Sequence, residues 1–483
     1  MRELVHRFQE QRLSRRGFLK GMAALGFGPT AAEAVLAPVE ASEGAATGLG
    51  GPGASSVEGT GGDLIVAQAK AAGTEYLFTN PGSFEVGLFD AFVDTPGMQL
   101  IMGLHEGVVV SMADGYHRIS RKPALVNVHV IAGTAQMAGQ LYNASRDGSA
   151  VVVTAGLNDN EAWSDETGLA PRPGFDQKEI NRQFTKISWE TREPGDLALM
   201  LRRAYKVATT EPGGPVYLAV ASHALEGRSR ADILPARRFM IRGRVRADEQ
   251  AIEEAARLLI EARRPLLVVG DEVWKSGAQS ELLELSELLE LAVFSHSQGF
   301  RNFPVHHPHY VGRFRAGSEL VERGVDVVLC VGSRDFGGRT VPTRPEVPLE
   351  AKIVRIGIDT SSMSRNYPTD LALVSDVKET LEDIRSAVKS MLTEERITAI
   401  ARSRSDEVRA VSAAQRVRAE EEAKGNFGKH PLHPDELGAT LARCIDPDAI
   451  VVSENLTGRY GSFPFGFRSG EPMWLGNTGN SLG

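Results

Sequence analysis

Glu106 is the residue in this sequence best placed to move a proton. It lies in Gly103-Leu104-His105-Glu106-Gly107-Val108-Val109-Val110, at a strand-to-helix junction, with apolar residues around it and a glycine after it. Desolvation in such surroundings makes a carboxyl keep its proton, whereas a helix N-terminus favours the carboxylate. Taken alone, an acidic residue at a helix start is usually just a helix-favouring charge. Three other places carry polar groups in suggestive settings. The turn Asn80-Pro81-Gly82-Ser83 presents a hydroxyl where Pro and Gly set a tight bend. His129 closes an apolar strand, either as a proton carrier or as a histidine satisfied within the sheet. His306, His307 and His309 cluster around Pro308 with a spacing that is poor for zinc.

Placing these groups is the work of alternating helices and strands. Residues 62–227 read as one α/β block. Asp63 is able to cap its first helix, which runs to Ala72. The strands Tyr76–Phe78, Gln99–Leu104, Ala124–Val130, Ala150–Ala155 and Pro215–Val220 are mostly continuous apolar runs. Such runs between helices imply a parallel sheet covered on both faces. Residues 245–390 form a second block of the same kind, with Pro265–Gly270, Asp326–Gly332 and Lys352–Ile358 as buried strands. Residues 391–430 read as a charged, solvated linker helix, and 431–483 as the start of a third block. The fold class is therefore α/β, with tandem doubly wound parallel-sheet domains. The chain has 483 residues, which suggests roughly three domains. A net charge of −8 without a basic patch argues against a nucleic-acid partner. The two cysteines, Cys330 and Cys444, have apolar neighbours and read as buried free thiols.

The first 41 residues are an address. Ser14-Arg15-Arg16-Gly17-Phe18-Leu19-Lys20 precedes a weakly apolar stretch, with small-x-small sites at Ala32-Glu33-Ala34 and Val39-Glu40-Ala41. This resembles a twin-arginine export signal. It implies the twin-arginine translocase as a partner and a periplasmic or extracytoplasmic location. The Gly/Ala/Ser-rich residues 42–61 read as a flexible linker.

In order, Asn80-Pro81-Gly82-Ser83, His105-Glu106-Gly107, Ala113-Asp114-Gly115-Tyr116, Asn127-Val128-His129 and Ala132-Gly133-Thr134 resemble the pyrimidine-binding domain of thiamine-diphosphate enzymes of the benzoylformate decarboxylase and acetolactate synthase type. The likeness covers nearly all of residues 62–483. It implies a pyrimidine-binding domain, a central domain and an incomplete diphosphate-binding domain. By that resemblance Glu106 hydrogen-bonds the aminopyrimidine of thiamine diphosphate, so that a C2 ylide forms and attacks a 2-oxo acid, and the decarboxylation chemistry belongs to the cofactor. Ser83 holds the substrate carboxylate, and His129 and His307 serve as active-site histidines, with His306 and His309 as rivals in register. Pro81 and Gly82 border the cofactor. Leu456 and Thr457 begin the diphosphate loop, and Asn480 and Leu482 belong to the loop that props the bent cofactor. Gly133-Thr134-Ala135-Gln136 departs from the pattern in its Ala and Gln.

The family's Gly-Asp-Gly and Asn, which hold Mg2+, are expected beyond Gly483. Asp147-Gly148-Ser149 imitates them in the wrong block. The expectation is thus a chain cut short inside its third domain, with no metal ligands of its own, in which both thiamine diphosphate and Mg2+ require the missing part. The resemblance also implies a homo-oligomer, dimer or tetramer, with the active site shared between subunits. The alternatives are an acetolactate-synthase-type carboligase, a truncated non-catalytic binding or assembly protein, and a nucleotide-binding module in block two, which lacks Gly-x-Gly-x-x-Gly.

Overall fold

The computed structural model describes residues 15–28, 53–158, 168–241, 243–296, 299–334, 336, 345–454, 465–467, 471–476, 478–479 and 481. The chain divides into two compact units, Met1–Ala144 with Ser149–Ile241, and Ser145–Gly148 with Arg242–Gly483.

In the first unit, helix α1 (Arg15–Ala24) falls in the twin-arginine segment, with Phe18 and Met22 fully buried. Both small-x-small sites lie outside the described residues. Strand β1 (Ser55–Thr60) occupies the end of the expected linker, so the flexible reading fails there. Thr60 then caps α2 (Gly61–Ala71). Its hydroxyl accepts the Asp63 N–H at 3.1 Å, and the Asp63 carboxylate accepts the Thr60 N–H at 2.8 Å. Asp63, expected as the cap, is instead the inner half of a capping box.

There follow β2 (Tyr76–Asn80), α3 (Val86–Val93), β3 (Gln99–Met102), α4 (Glu106–Ser120), β4 (Ala124–Val128), α5 (Val130–Gln136), α6 (Ala138–Asp147), β5 (Val151–Leu157), β6 (Ile187–Thr191), α7 (Leu197–Thr209) and β7 (Val216–Ala221). Their strands form one six-stranded parallel sheet in the order β3-β2-β4-β5-β7-β6. Every residue of β4, β5 and β7 is buried, as a sheet covered on both faces requires. Ile65, Leu88 and Leu201 pack on one face, and Val109, Val110 and Leu141 on the other. Strand β6 was not expected, because an edge strand reading Ile-Ser-Trp-Glu-Thr has no apolar run. The unit also extends past 227. Strand β8 (Arg228–Ile233) pairs antiparallel with β1, Thr60 opposite Arg228 and Ser55 opposite Ile233.

The second unit opens with α8 (Glu249–Glu261), capped by Asp248, whose carboxylate accepts the Gln250 and Ala251 N–H groups. Then come β9 (Pro265–Val269), α9 (Gln279–Leu289), β10 (Ala292–Ser295), β11 (Tyr310–Arg313), β12 (Val327–Val331), β13 (Lys352–Gly357), β14 (Leu371–Val374) and α10 (Val377–Met391). These strands make a second six-stranded parallel sheet, order β11-β10-β9-β12-β13-β14. Fully buried β9 and β12 lie at its centre, between two apolar clusters.

Helix α11 (Glu394–Lys424) runs for 31 residues where the linker helix was expected. It is not a free solvated rod. Ile397, Val408 and Val411 join the apolar clusters of the second unit. Arg404 is buried and donates to the carbonyls of Leu259 at 2.8 Å, Ala262 at 2.6 Å and Leu289 at 3.2 Å. One guanidinium thus satisfies carbonyls left open at the C-terminal ends of α8 and α9. Residues 431–483 do not stand as a separate unit. Their described part gives α12 (Pro434–Cys444) and a parallel pair, β15 (Ile450–Ser453) with β16 (Met473–Gly476). Cys330 is buried in β12 as expected, but Cys444 is exposed at the end of α12. No helix among the described residues is long and apolar enough to cross a membrane.

Candidate active site

The candidate residues of the first unit gather at the C-terminal ends of its strands, where parallel sheets place their ligand sites. Glu106 is the first residue of α4. His105 caps that helix, its Nδ1 accepting the Gly107 N–H at 3.0 Å. Glu106 is 6% exposed, yet its carboxylate accepts no hydrogen bond from any described residue. Opposite stands Gly133 of α5. An added Cβ there would lie 3.1 Å from Glu106 Oε1, so the glycine keeps one side of the carboxylate clear. Ala135 and Gln136, which depart from the family pattern, are exposed.

Pro81, Gly82 and Ser83 form the loop after β2, with Pro81 and Ser83 exposed and Gly82 partly buried. Gly82 is extended, so its role is one of space. A Cβ there would fall 1.9 Å from His129 Nδ1. The loop and His129 are therefore brought together. Phe84 flanks the imidazole at 5.7 Å between ring centroids.

Glu85 was not singled out from the sequence, and it ties this corner together. Its side chain is 1% exposed. It accepts the His129 Nδ1–H at 2.8 Å, the Val130 N–H at 3.2 Å and the Gly156 N–H at 2.8 Å. The carboxylate can only accept, so it fixes His129 with its proton on Nδ1 and leaves Nε2 as the atom that exchanges protons. Val130 follows at φ 37°. A β-branched residue in that region is strained, and such strain collects at functional sites.

His307 belongs to the second unit. Its ring is 18% exposed, its Nε2 lies 3.3 Å from Glu287, and Phe303 packs against it edge-on. Burial pushes its pKa down, with Glu287 opposing. The two rivals separate clearly. His306 is exposed, and His309 is buried with Nε2 donating to Glu290 at 2.9 Å. Leu456, Thr457, Asn480 and Leu482 lie outside the described residues. Among the described residues no group of three or more His, Cys, Asp or Glu could hold a metal ion.

The strand order of the central sheet reverses between β9 and β12, the switch point at which α/β sheets take nucleotides. There the Glu272 carboxylate accepts the Ile358 N–H at 2.8 Å and the Asp359 N–H at 3.4 Å. Two backbone donors suited to a phosphate are already satisfied by the chain's own carboxylate.

Residues 59–182 match the family model described as thiamine pyrophosphate enzyme, N-terminal TPP binding domain, and residues 252–384 match thiamine pyrophosphate enzyme, central domain. The chain belongs to the thiamine pyrophosphate enzyme family. Benzoylformate decarboxylase of Pseudomonas aeruginosa is 31% identical over 321 residues, covering 66% of this chain and 60% of that protein. The acetolactate synthase large subunit of Haemophilus influenzae is 25% identical over 331 residues, covering 67% and 57%. The chain thus spans less than two thirds of the length of these curated relatives. The crystal structure of benzoylformate decarboxylase from Polynucleobacter necessarius aligns with a TM-score of 0.71 at 21% identity, covering 88% of this chain and 75% of that one, a likeness of fold. The two six-stranded parallel sheets are the pyrimidine-binding and central domains of thiamine pyrophosphate enzymes. The resemblance read from Glu106 and its neighbours is borne out at the level of the family.

Proposed function

We propose that this protein is a thiamine-diphosphate-dependent decarboxylase of a 2-oxo acid. The observation that carries the reading is Glu106: a buried carboxylate at a helix start, with no protein partner among the described residues and a glycine facing it. These features fit a cofactor's pyrimidine edge. When bound, thiamine diphosphate supplies the electron sink for the carbon that loses CO2.

The chain's own residues do the rest. Glu106 holds or releases a proton at the pyrimidine edge. Ser83, exposed on a loop fixed by Pro81 and Gly82, donates to the substrate carboxylate. His129, oriented by Glu85, delivers or takes a proton at Nε2. His307 is the second proton-transfer group. Leu456, Thr457, Asn480 and Leu482 would hold the diphosphate and prop the cofactor, with Mg2+ neutralising the phosphate charge.

We also propose a homo-oligomer. Leu104 is 94% exposed, Met102 63% and Val108 48%, and they lie within a few residues of Glu106. Apolar side chains this exposed suit a surface covered by a second copy of the chain. Export by the twin-arginine translocase to the periplasm is supported by Ser14 to Lys20.

The test is CO2 release by the full-length protein from benzoylformate and from pyruvate, with thiamine diphosphate and magnesium present. Turnover that falls at least about 10²-fold in Glu106→Gln supports the reading. No turnover above the protein-free rate with either acid sinks it, and acetolactate accumulating from pyruvate transfers it to the carboligases of the family.

A further inference from the structure

The loop that carries His307 is gripped by one face of helix α11. Arg409, Ser412 and Arg416 stand at i, i+3 and i+7, hence on the same side of the helix. Ser412 Oγ donates to the Tyr310 carbonyl at 2.8 Å. Arg416 Nη1 donates to the His306 carbonyl at 3.1 Å and the His307 carbonyl at 3.5 Å. Arg409 donates to Glu290 through Nε at 3.2 Å and Nη2 at 2.7 Å.

Glu290 passes the connection on. Its second partner is the Nε2–H of His309, whose ring is buried. The rings of His309 and His307 meet edge to face with centroids 4.6 Å apart. The backbone N–H of His309 donates to His307 Nδ1 at 3.2 Å. With Nδ1 taken as an acceptor, neutral His307 carries its proton on Nε2. Glu290 itself caps α9 in the left-handed region, φ 51° and ψ 56°. Glycine or asparagine is the low-cost residue there. A glutamate that keeps this conformation while both its oxygens are engaged is held by its surroundings, as strained functional positions are.

We propose that Arg409, Ser412 and Arg416 of the linker helix, acting through the Glu290–His309 pair, are positioning residues for His307. The proposal deepens the functional reading above, and rests on it for His307 being an active-site histidine. The helix is then more than a spacer between domains, since its docking sets the exposure and tautomer of a proton-transfer group. The charged and titratable groups facing His307 are Glu287 and Glu290 from α9 and its cap, His309 from its own loop, and Arg409 and Arg416 from α11.

The experiment is a histidine titration by NMR on the full chain with 13C-labelled histidine, assigned with His307→Gln and His309→Gln. Burial and the Arg409 charge both hold His307 below its ordinary range. Arg409→Gln/Arg416→Gln should therefore raise its midpoint by about half a pH unit and speed amide exchange over 306–310. Arg409→Lys alone should restore most of the midpoint. Arg418→Gln removes a charge from the same helix, but one paired with Glu319, and should change neither. If the double variant does not fold, Ser412→Ala read by the same amide exchange takes its place. An unmoved midpoint with unmoved exchange overturns the proposal, and so does an equal shift in Arg418→Gln. Decarboxylation that survives His307→Ala would sink the active-site reading while the titration still decides the positioning.

Discussion

The Glu85 carboxylate and the His129 imidazole meet at 2.8 Å, and the same carboxylate accepts two backbone N–H groups, those of Val130 and Gly156. One buried side chain therefore sets a tautomer and holds the ends of β4 and β5. Glu85→Ala leaves both N–H groups unsatisfied and should cost about 3 kcal/mol in denaturant unfolding. Glu85→Gln keeps an acceptor but offers a donor to the ring. It should cost less stability and lower turnover about 10²-fold or more, as a reversed tautomer does. Equal turnover in Glu85→Gln and wild type would remove the orienting role.

Glu106 makes the opposite prediction. No described residue loses a partner when it changes, so Glu106→Gln should unfold at the same temperature as wild type or a few degrees higher. In the full-length protein the same substitution should abolish the acceleration of thiamine diphosphate C2–H exchange, measured by NMR in deuterium oxide. A large fall in melting temperature would show that Glu106 serves the fold and not the cofactor.

Glu272 gives a pH dependence. Burial holds its carboxyl above the ordinary range, against the opposing N–H groups of Ile358 and Asp359. A group with a raised folded pKa contributes stability in full below its unfolded value, about 4.3, and loses it as pH rises through the folded value. Glu272→Gln should therefore gain on wild type between pH 4 and pH 8. Melting curves at several pH values check this, and a constant difference would contradict it.

Leu104 tests the proposed subunit contact. Leu104→Asp places a charge on a side chain that is 94% exposed, so the fold should tolerate it. Sedimentation velocity should show the assembly shifting towards monomer. An unchanged sedimentation profile would place the interface elsewhere.

Much of the framework was legible in the sequence, because β4, β5, β7, β9 and β12 are buried from end to end and almost wholly apolar. Strands β1, β6 and β8 escaped, since each is partly exposed and mixes polar with apolar residues, whereas β10 and β14 escaped because an apolar run of three or four residues is too short to stand out. Glu106 could be found from its helix start and neighbouring glycine. Glu85 could not, because its partners lie far along the chain and meet it only once the sheet is built. His306, His307 and His309 look equivalent as letters. They part company only through Glu290, which buries one, and α11, which leaves another at the surface. The docking of α11 was hidden by its charge, since Arg404 looks like a surface residue until the carbonyls it satisfies are in place.

The antiparallel clip between β1 and β8 has a consequence for the order of assembly. Thr60 meets Arg228, so the earliest strand of the first unit waits for the latest one, and its pairing closes over everything synthesised between them. Such a distant seam is slow to form. Its closure would therefore report that the whole of the first unit is already in place.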